Sequence, residues 1–281
     1  MKQTVTTVHV GATQPFSLLH MTDTHINLAD GRDDERKQAA AAQSWGGKPH
    51  GLAELAFVTE QARLRDLPVV HTGDLTEIVT EANLDWARAF AGSVELRMVA
   101  GNHDFSQYRE VMAETSAYRL QSIDKLRAVY KNDVEFDARV VNGVNLVLLC
   151  NCYYQIDRWQ LERLREEVCK GYPVVLFLHM PLYTEELYDF MRACHAAAGT
   201  PNRAVFLMSV PEEKMDYYTP LLLRQQRQDA DTAEAYRYIL AEPRIRAVIA
   251  GHTHQNFEGT LGDGRVQITT DVNTLRELRF E

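Results

Sequence analysis

The stretch that decides the fold is Val94-Glu95-Leu96-Arg97-Met98-Val99-Ala100-Gly101-Asn102-His103-Asp104. Its apolar first part, Val94 to Ala100, ends in small residues, so it reads as a buried strand opening into a loop at Gly101. Such an opening aims side chains into a cleft. Asn102 brings a neutral oxygen, His103 a group that titrates near neutrality and Asp104 a fixed charge, a mixture better suited to metal-assisted chemistry than to packing.

The same pattern recurs along the chain in both directions. Phe16 to Met21 is an apolar run that stops at Thr22-Asp23-Thr24-His25, and Val69-Val70-His71-Thr72 stops at Gly73-Asp74. Helical spacing of Leu52, Leu55, Ala56, Val58, Thr59 and Ala62, and a helix near Glu81 to Ala91, fill the intervals. Strand and helix therefore alternate through the first hundred residues, which argues for an α/β fold of parallel βαβ units. Asn27 to His50 reads as a loop or a short exposed helix, and a helix is expected near Tyr108 to Tyr118.

Asn142-Gly143 between Ala138–Val141 and Val144–Cys150 is a strong hairpin signal, so antiparallel strands join the sheet. A helix over Gln160 to Cys169 leads to strand Pro173 to Leu178, which delivers His179. Arg246 to Ala250 delivers Gly251-His252-Thr253-His254, and short strands follow at Phe257–Leu261, Val266–Thr270 and Leu275–Phe280. Between them, the stretch at about 182–246 reads as an insert with helices at Glu185 to Ala198 and Thr232 to Leu240. Its Tyr183, Tyr188, Phe190, Tyr217 and Tyr218 suit either helix packing or stacking on a planar group, and Arg203 suits either solvent or a second substrate charge.

Composition narrows the partners. With 281 residues, 45% of them hydrophobic, one domain over 1–281 with one large core is expected. The formal charge of -9 disfavours a non-specific grip on nucleic acid or an anionic membrane surface. No apolar run approaches the ~20 residues that span a bilayer, and Met1 to Thr13 lacks an export signal. Cys150, Cys152, Cys169 and Cys194 form no CxxC pair and fit a reducing, cytoplasmic setting as small buried residues. A homo-oligomer is compatible with this sequence.

In open α/β sheets the loops at the carboxyl ends of the strands converge on one crevice. Asp23, His25, Asp74, Asn102, His179, His252 and His254 all stand at such ends and are oxygen or nitrogen donors. Divided around two ions with one shared carboxylate, they compose a two-metal site.

Together, Asp23-x-His25, Gly73-Asp74, Gly101-Asn102-His103-Asp104, His179 and Gly251-His252-x-His254 resemble the signature of the calcineurin-like metallophosphoesterase superfamily. The resemblance implies a four-layer α/β/β/α sandwich, two mixed sheets packed face to face with helices outside. It implies that Asp23, His25 and His254 hold one metal, that Asn102, His179 and His252 hold a second, and that Asp74 bridges them. It further implies that His103 serves the leaving group or phosphate, oriented by Asp104, while a metal-bridging hydroxide attacks. The metals would be two divalent or mixed-valence ions of Mn, Fe or Zn. Leu75-Thr76-Glu77 lacks the arginine of the protein phosphatases of this type, and Glu77 stands where purple acid phosphatases place a tyrosine ligand. The chain is thus more similar to the bacterial phosphodiesterases, which act on small phosphate esters such as nucleotides. A nuclease of the same superfamily, or a catalytically silent scaffold, is the alternative.

Overall fold

The computed structural model describes residues 1–108 and 116–281. Among the described residues eleven strands make two sheets: β1 (Lys2–Val8), β2 (Phe16–Met21), β3 (Val69–His71), β4 (Leu96–Met98), β5 (Phe136–Val141), β6 (Val144–Leu149), β7 (Val174–Phe177), β8 (Ile245–Ala250), β9 (Phe257–Gly262), β10 (Arg265–Thr269) and β11 (Thr274–Phe280). The first sheet has the order β1-β11-β2-β3-β4 and the second β5-β6-β7-β8-β10-β9. In each, a parallel centre carries the strands whose ends hold the predicted polar residues: β2-β3-β4 in one, β6-β7-β8-β10 in the other.

Alternation along the strands explains how the sheets stack. Successive side chains on a strand point to opposite faces. Leu146 and Leu148 of β6, with Val175 and Phe177 of β7, join a core shared with Leu18, Leu19 and Met98 of the first sheet. Their neighbours Val147, Leu149, Val174 and Leu176 instead pack on Leu161 and Leu164 of the helix Arg158–Cys169 and on Ala235 and Ile239 of the helix Ala230–Ala241. Helices Leu52–Arg65 and Glu81–Ser93 add Leu55, Val58, Leu84 and Phe90 to the first core. The result is two mixed sheets flanked by helices, as expected.

Local expectations fare unevenly. The hairpin β5–β6 turns at Asn142 and Gly143, both with positive φ (45° and 78°), the conformation of a two-residue type I′ turn. The apolar run Val94–Ala100 yields only a three-residue strand, because Ala100 leaves the ladder and donates to Val134 O at 3.1 Å. Lys2–Val8, unassigned in the sequence, is a strand beside β11 at the sheet edge. The Asn27–His50 segment is not simply exposed: its helix Glu35–Gln43 buries Lys37, Ala40 and Ala41. Of the helix expected near Tyr108 to Tyr118, residues 109–115 lie outside the described residues, and the turn Ser116–Arg119 is helical.

The stretch at 182–246 contributes most of a third apolar cluster. Leu187 and Met191 of the helix Glu185–Ala197 meet Val205, Leu207, Met215 and Tyr218, and the cluster reaches Phe257 of β9. Tyr188 and Tyr218 each donate their hydroxyl to a backbone carbonyl, Lys214 O and Val205 O. These two aromatics pack and do not offer a platform.

Candidate metal centre

Backbone pairing brings the strand ends together. Asp23 N–H donates to Gly73 O and His25 N–H to Asp74 O, each at 2.9 Å, and Gly251 N–H donates to His179 O at 3.0 Å. Five of the residues so delivered have left-handed backbones: Asp23 (φ 54°), His25 (50°), Asp74 (56°), His252 (65°) and His254 (52°). Each such conformation costs on the order of 1–3 kcal/mol in a non-glycine residue, and clusters of them mark functional sites. Small residues make the crowding tolerable. A Cβ on Gly101 would lie 2.2 Å from Asp74 Oδ1, and one on Gly251 would lie 1.9 Å from Thr22 Oγ1.

The side chains converge as three overlapping sets of potential ligands, each with donor atoms within 4.8 Å of one another: Asp23, His25 and His254; His25, Asp74 and His103; Asp74, His179 and His252. Asp23 Oδ1 stands 3.2 Å from His254 Nε2 and 3.8 Å from His25 Nε2. Asp74 Oδ2 stands 3.3 Å from His179 Nε2 and 3.9 Å from His25 Nε2. His179 Nε2 also lies 3.1 Å from Asn102 Oδ1 and 3.1 Å from His252 Nδ1. All seven residues expected to bind metal therefore face one crevice.

Supporting contacts leave these atoms free to face inward. Asp23 Oδ2 accepts from Thr22 Oγ1 (2.6 Å) and His252 N (2.8 Å), while Asp74 Oδ1 accepts from His103 N (2.8 Å). His179 Nδ1 is tied to Thr72 O at 2.8 Å, which leaves Nε2 as the inward atom. Tyr154 OH lies 3.3 Å from His252 Nε2. Behind them His20 bridges Thr72 and Thr270, and His71 lies between Gly73 N and Thr24 Oγ1, so both serve as buried struts.

Charge follows this geometry. Burial opposes the charged form of His179, but Asp74 outweighs it and lifts the imidazole to about 10. Burial, reinforced by the charge of His179, presses His252 down to about 3. Asp74 is held well below the usual carboxylate range despite its burial, because His179 and His103 stand beside it. Burial likewise works against charge on His103, yet Asp74 and Glu77 raise it above the ordinary histidine value.

Asp104 departs from its expected role. Its Oδ2 accepts from Asp74 N (2.8 Å) and Gly101 N (2.9 Å), and its Oδ1 accepts from Thr76 N (3.0 Å) and Thr76 Oγ1 (3.1 Å). Three of its four acceptor positions are thus spent on the Asp74 loop and the fourth on Gly101, and none serves the His103 ring. His103 is oriented instead by Glu77, whose backbone oxygen lies 3.0 Å from Nδ1.

Glu77 is the residue that sequence reasoning undervalued. Its Oε2 faces His25 Nδ1 at 2.9 Å and accepts from Trp45 Nε1 at 3.0 Å. Burial would raise its carboxyl, but His25 and His103 draw it down to about 2. Trp45 in turn stacks on His50 with ring centroids 3.9 Å apart, so the segment expected to be an exposed loop folds over the rim. The spacing of Glu77 three places after Asp74 was the available signal, and it shows only which ligand is absent.

The donor set fits metal ions. Asp23 Oδ1 is buried, and its neighbours are the ring nitrogens of His254 at 3.2 Å and His25 at 3.8 Å, donor atoms that a cation among them would draw together. Imidazole, carboxylate and amide oxygen suit Mn, Fe or Zn.

The family model described as calcineurin-like phosphoesterase matches residues 16–256, a span containing every ligand named above. No curated protein matches the chain. Among solved structures, a provisionally assigned 5′-nucleotidase from Staphylococcus aureus is 14% identical with a TM-score of 0.48, the match covering 92% of this chain and 49% of that one. A dimetal phosphatase from Danio rerio is 14% identical with a TM-score of 0.46, over 91% of this chain and 87% of that one. A 5′-nucleotidase from Candida albicans is 9% identical with a TM-score of 0.45, over 91% and 45%. The chain thus spans about half the length of both nucleotidases. Among the described residues no helix is long and apolar enough to cross a membrane.

Proposed function

The chain belongs to the calcineurin-like phosphoesterase family, and from that premise we propose that it hydrolyses a small phosphate ester, by preference a diester, with two metal ions held at the strand ends. The observation that carries this reading is the shared carboxylate: Asp74 stands in the set with His25 and in the set with His179 and His252. Asp23, His25 and His254 would hold one ion, Asn102, His179 and His252 the other, and Asp74 both. When bound there, such ions supply Lewis-acid polarisation of the phosphoryl oxygens and offset charge in the transition state.

The protein's own groups do the rest. A carbonyl only accepts, so the His103 Nδ1 beside Glu77 O carries a proton, and Nε2 is the atom left to act. The neighbouring carboxylates Asp74 and Glu77 favour the imidazolium form. His103 can therefore give its Nε2 proton to the departing alkoxide and relax to the neutral Nδ1–H tautomer. Proton donation of this kind contributes roughly 10²- to 10⁴-fold to rate. Asp104 fixes the loop that carries Asp74, and Glu77 fixes the rings of His25 and His103, so their placement is prepared before substrate arrives.

The test is hydrolysis of bis-p-nitrophenyl phosphate and p-nitrophenyl phosphate by Mn²⁺-reconstituted protein. Both should be cleaved, the diester faster. His103→Ala should cost more rate on an alkyl ester, whose leaving group needs the proton, than on the activated p-nitrophenyl ester. Failure to cleave either ester would refute the reading, and equal losses on the two leaving groups would remove His103 as the acid.

A further inference from the structure

The insert closes one side of the centre around a cavity of ≈ 200 Å³ that opens directly onto His252 and His254. Besides the segment His252 to Gln255, two elements of the insert wall it. The helix Glu185–Ala197 contributes Met191, Cys194 and His195, and the loop that follows contributes Thr200, Arg203 and Phe206. The helix is anchored through Leu187 and Met191 in the third apolar cluster, and Phe190 packs 5.2 Å from Phe257 of β9, so this wall is built onto the core.

The lining is unusual for this chain. The protein carries 39 Asp and Glu and a formal charge of -9, yet among the described residues no carboxylate lines the cavity. Arg203 does line it, and among the described residues its guanidinium makes no hydrogen bond, ion pair or ring contact. Other cations of the insert are engaged: Lys214 with Glu185, Arg227 with Glu212, and Arg192 over the ring of Tyr217. The backbone of Arg203 is nonetheless held, its N–H donating to Thr200 O at 3.0 Å and its carbonyl accepting from Arg192 Nη1 at 3.3 Å. His195, only 8% exposed, also lines the cavity. An uncommitted guanidinium beside a lining without acids, next to the metal-ligating histidines, makes a seat for an anion.

We propose that this cavity receives a second anionic group of the substrate, so that the ester cleaved carries, beyond the scissile phosphate, a phosphoryl or carboxylate group a few atoms away. The inference rests on the phosphoesterase reading and names its substrate class. Arg203 would grip the second anion with its planar fork. Phe206 and Met191 would face the carbon linker, and the scissile group would lie at His252 and His254. Arg203 is then a specificity residue, outside the reacting centre.

Calorimetric titration of the metal-loaded protein with non-hydrolysable phosphonates tests this. Methylphosphonate presents one anion, 1,3-propylenediphosphonate two phosphoryl anions, and 3-phosphonopropionate one phosphoryl and one carboxylate. At least one of the two dianionic probes should bind about tenfold or more tightly than methylphosphonate, an effect of the size expected for a charge-assisted fork, and the tighter of the two identifies the second group. Arg203→Ala should erase that preference while leaving methylphosphonate binding and turnover of p-nitrophenyl phosphate unchanged, and Arg203→Lys should keep part of it. Equal binding of all three probes by the wild type, or a preference that survives in Arg203→Ala, would overturn the inference while the phosphoesterase reading stands. Absence of both methylphosphonate binding and ester cleavage would bring down the two together.

Discussion

Replacing Asp104 with Asn separates the two roles open to that carboxylate. Each oxygen of Asp104 accepts two hydrogen bonds, from Asp74 N and Gly101 N on one side and from Thr76 N and Thr76 Oγ1 on the other. An amide keeps one oxygen and turns the other into a donor. Turned toward Thr76, it strands the Thr76 N–H, since the hydroxyl can rotate away; turned toward the glycine, it strands two backbone N–H groups. The cheaper arrangement leaves one buried donor unsatisfied, a cost of about 1–3 kcal/mol. At about 2–4 °C per kcal/mol, the melting temperature should fall by roughly 2–12 °C. Asp74 rides on the same loop, so metal affinity should fall too. Differential scanning calorimetry with metal titration reads both. His103→Ala is the control: it should melt near the wild type and keep its metal. If Asp104→Asn melted like the wild type, bound metal normally and copied only the rate loss of His103→Ala, then Asp104 would be serving His103 and the loop argument would be wrong.

Two further outcomes follow from the same geometry. Glu77→Gln replaces the carboxylate that faces His25 Nδ1 at 2.9 Å, and loss of such outer support should weaken metal binding roughly 10- to 100-fold, seen by competition with a fluorescent chelator. Gly251→Ala forces a Cβ to within 1.9 Å of Thr22 Oγ1 and 2.5 Å of Asp23 Oδ2, and should destabilise by at least about 1–3 kcal/mol on denaturant unfolding. By contrast Gly92→Ala, in open space within the helix Glu81–Ser93, should not lower stability.

Much of the centre was legible because its residues stand directly after apolar runs. Asp23, Asp74, Asn102, His179 and His252 each follow a strand core whose hydrophobicity marks it, and parallel strands deliver their ends to one side. Chemistry carried by relations across the chain was not legible in the same way. Nothing in Gly101-Asn102-His103-Asp104 shows that Asp104 turns back to the Asp74 loop while its neighbour turns to Glu77. That choice depends on where the loops meet in space. Trp45 and His50 belong to a polar, glycine-containing stretch without periodicity, and they acquire meaning only by packing against Glu77 and each other. The edge strand β1 escaped notice because its buried positions are few, and its pairing with β11 joins residues more than 270 apart.

The central claim is that Asp74 serves two metal ions at once, and metal stoichiometry tests it most directly. Elemental analysis of wild-type and Asp74→Ala protein after reconstitution with Mn²⁺ and removal of free metal should return two equivalents for the wild type. The variant should retain fewer than one, because both sites lose their common ligand. Two equivalents retained by Asp74→Ala, or a wild type that saturates at one, would contradict the account.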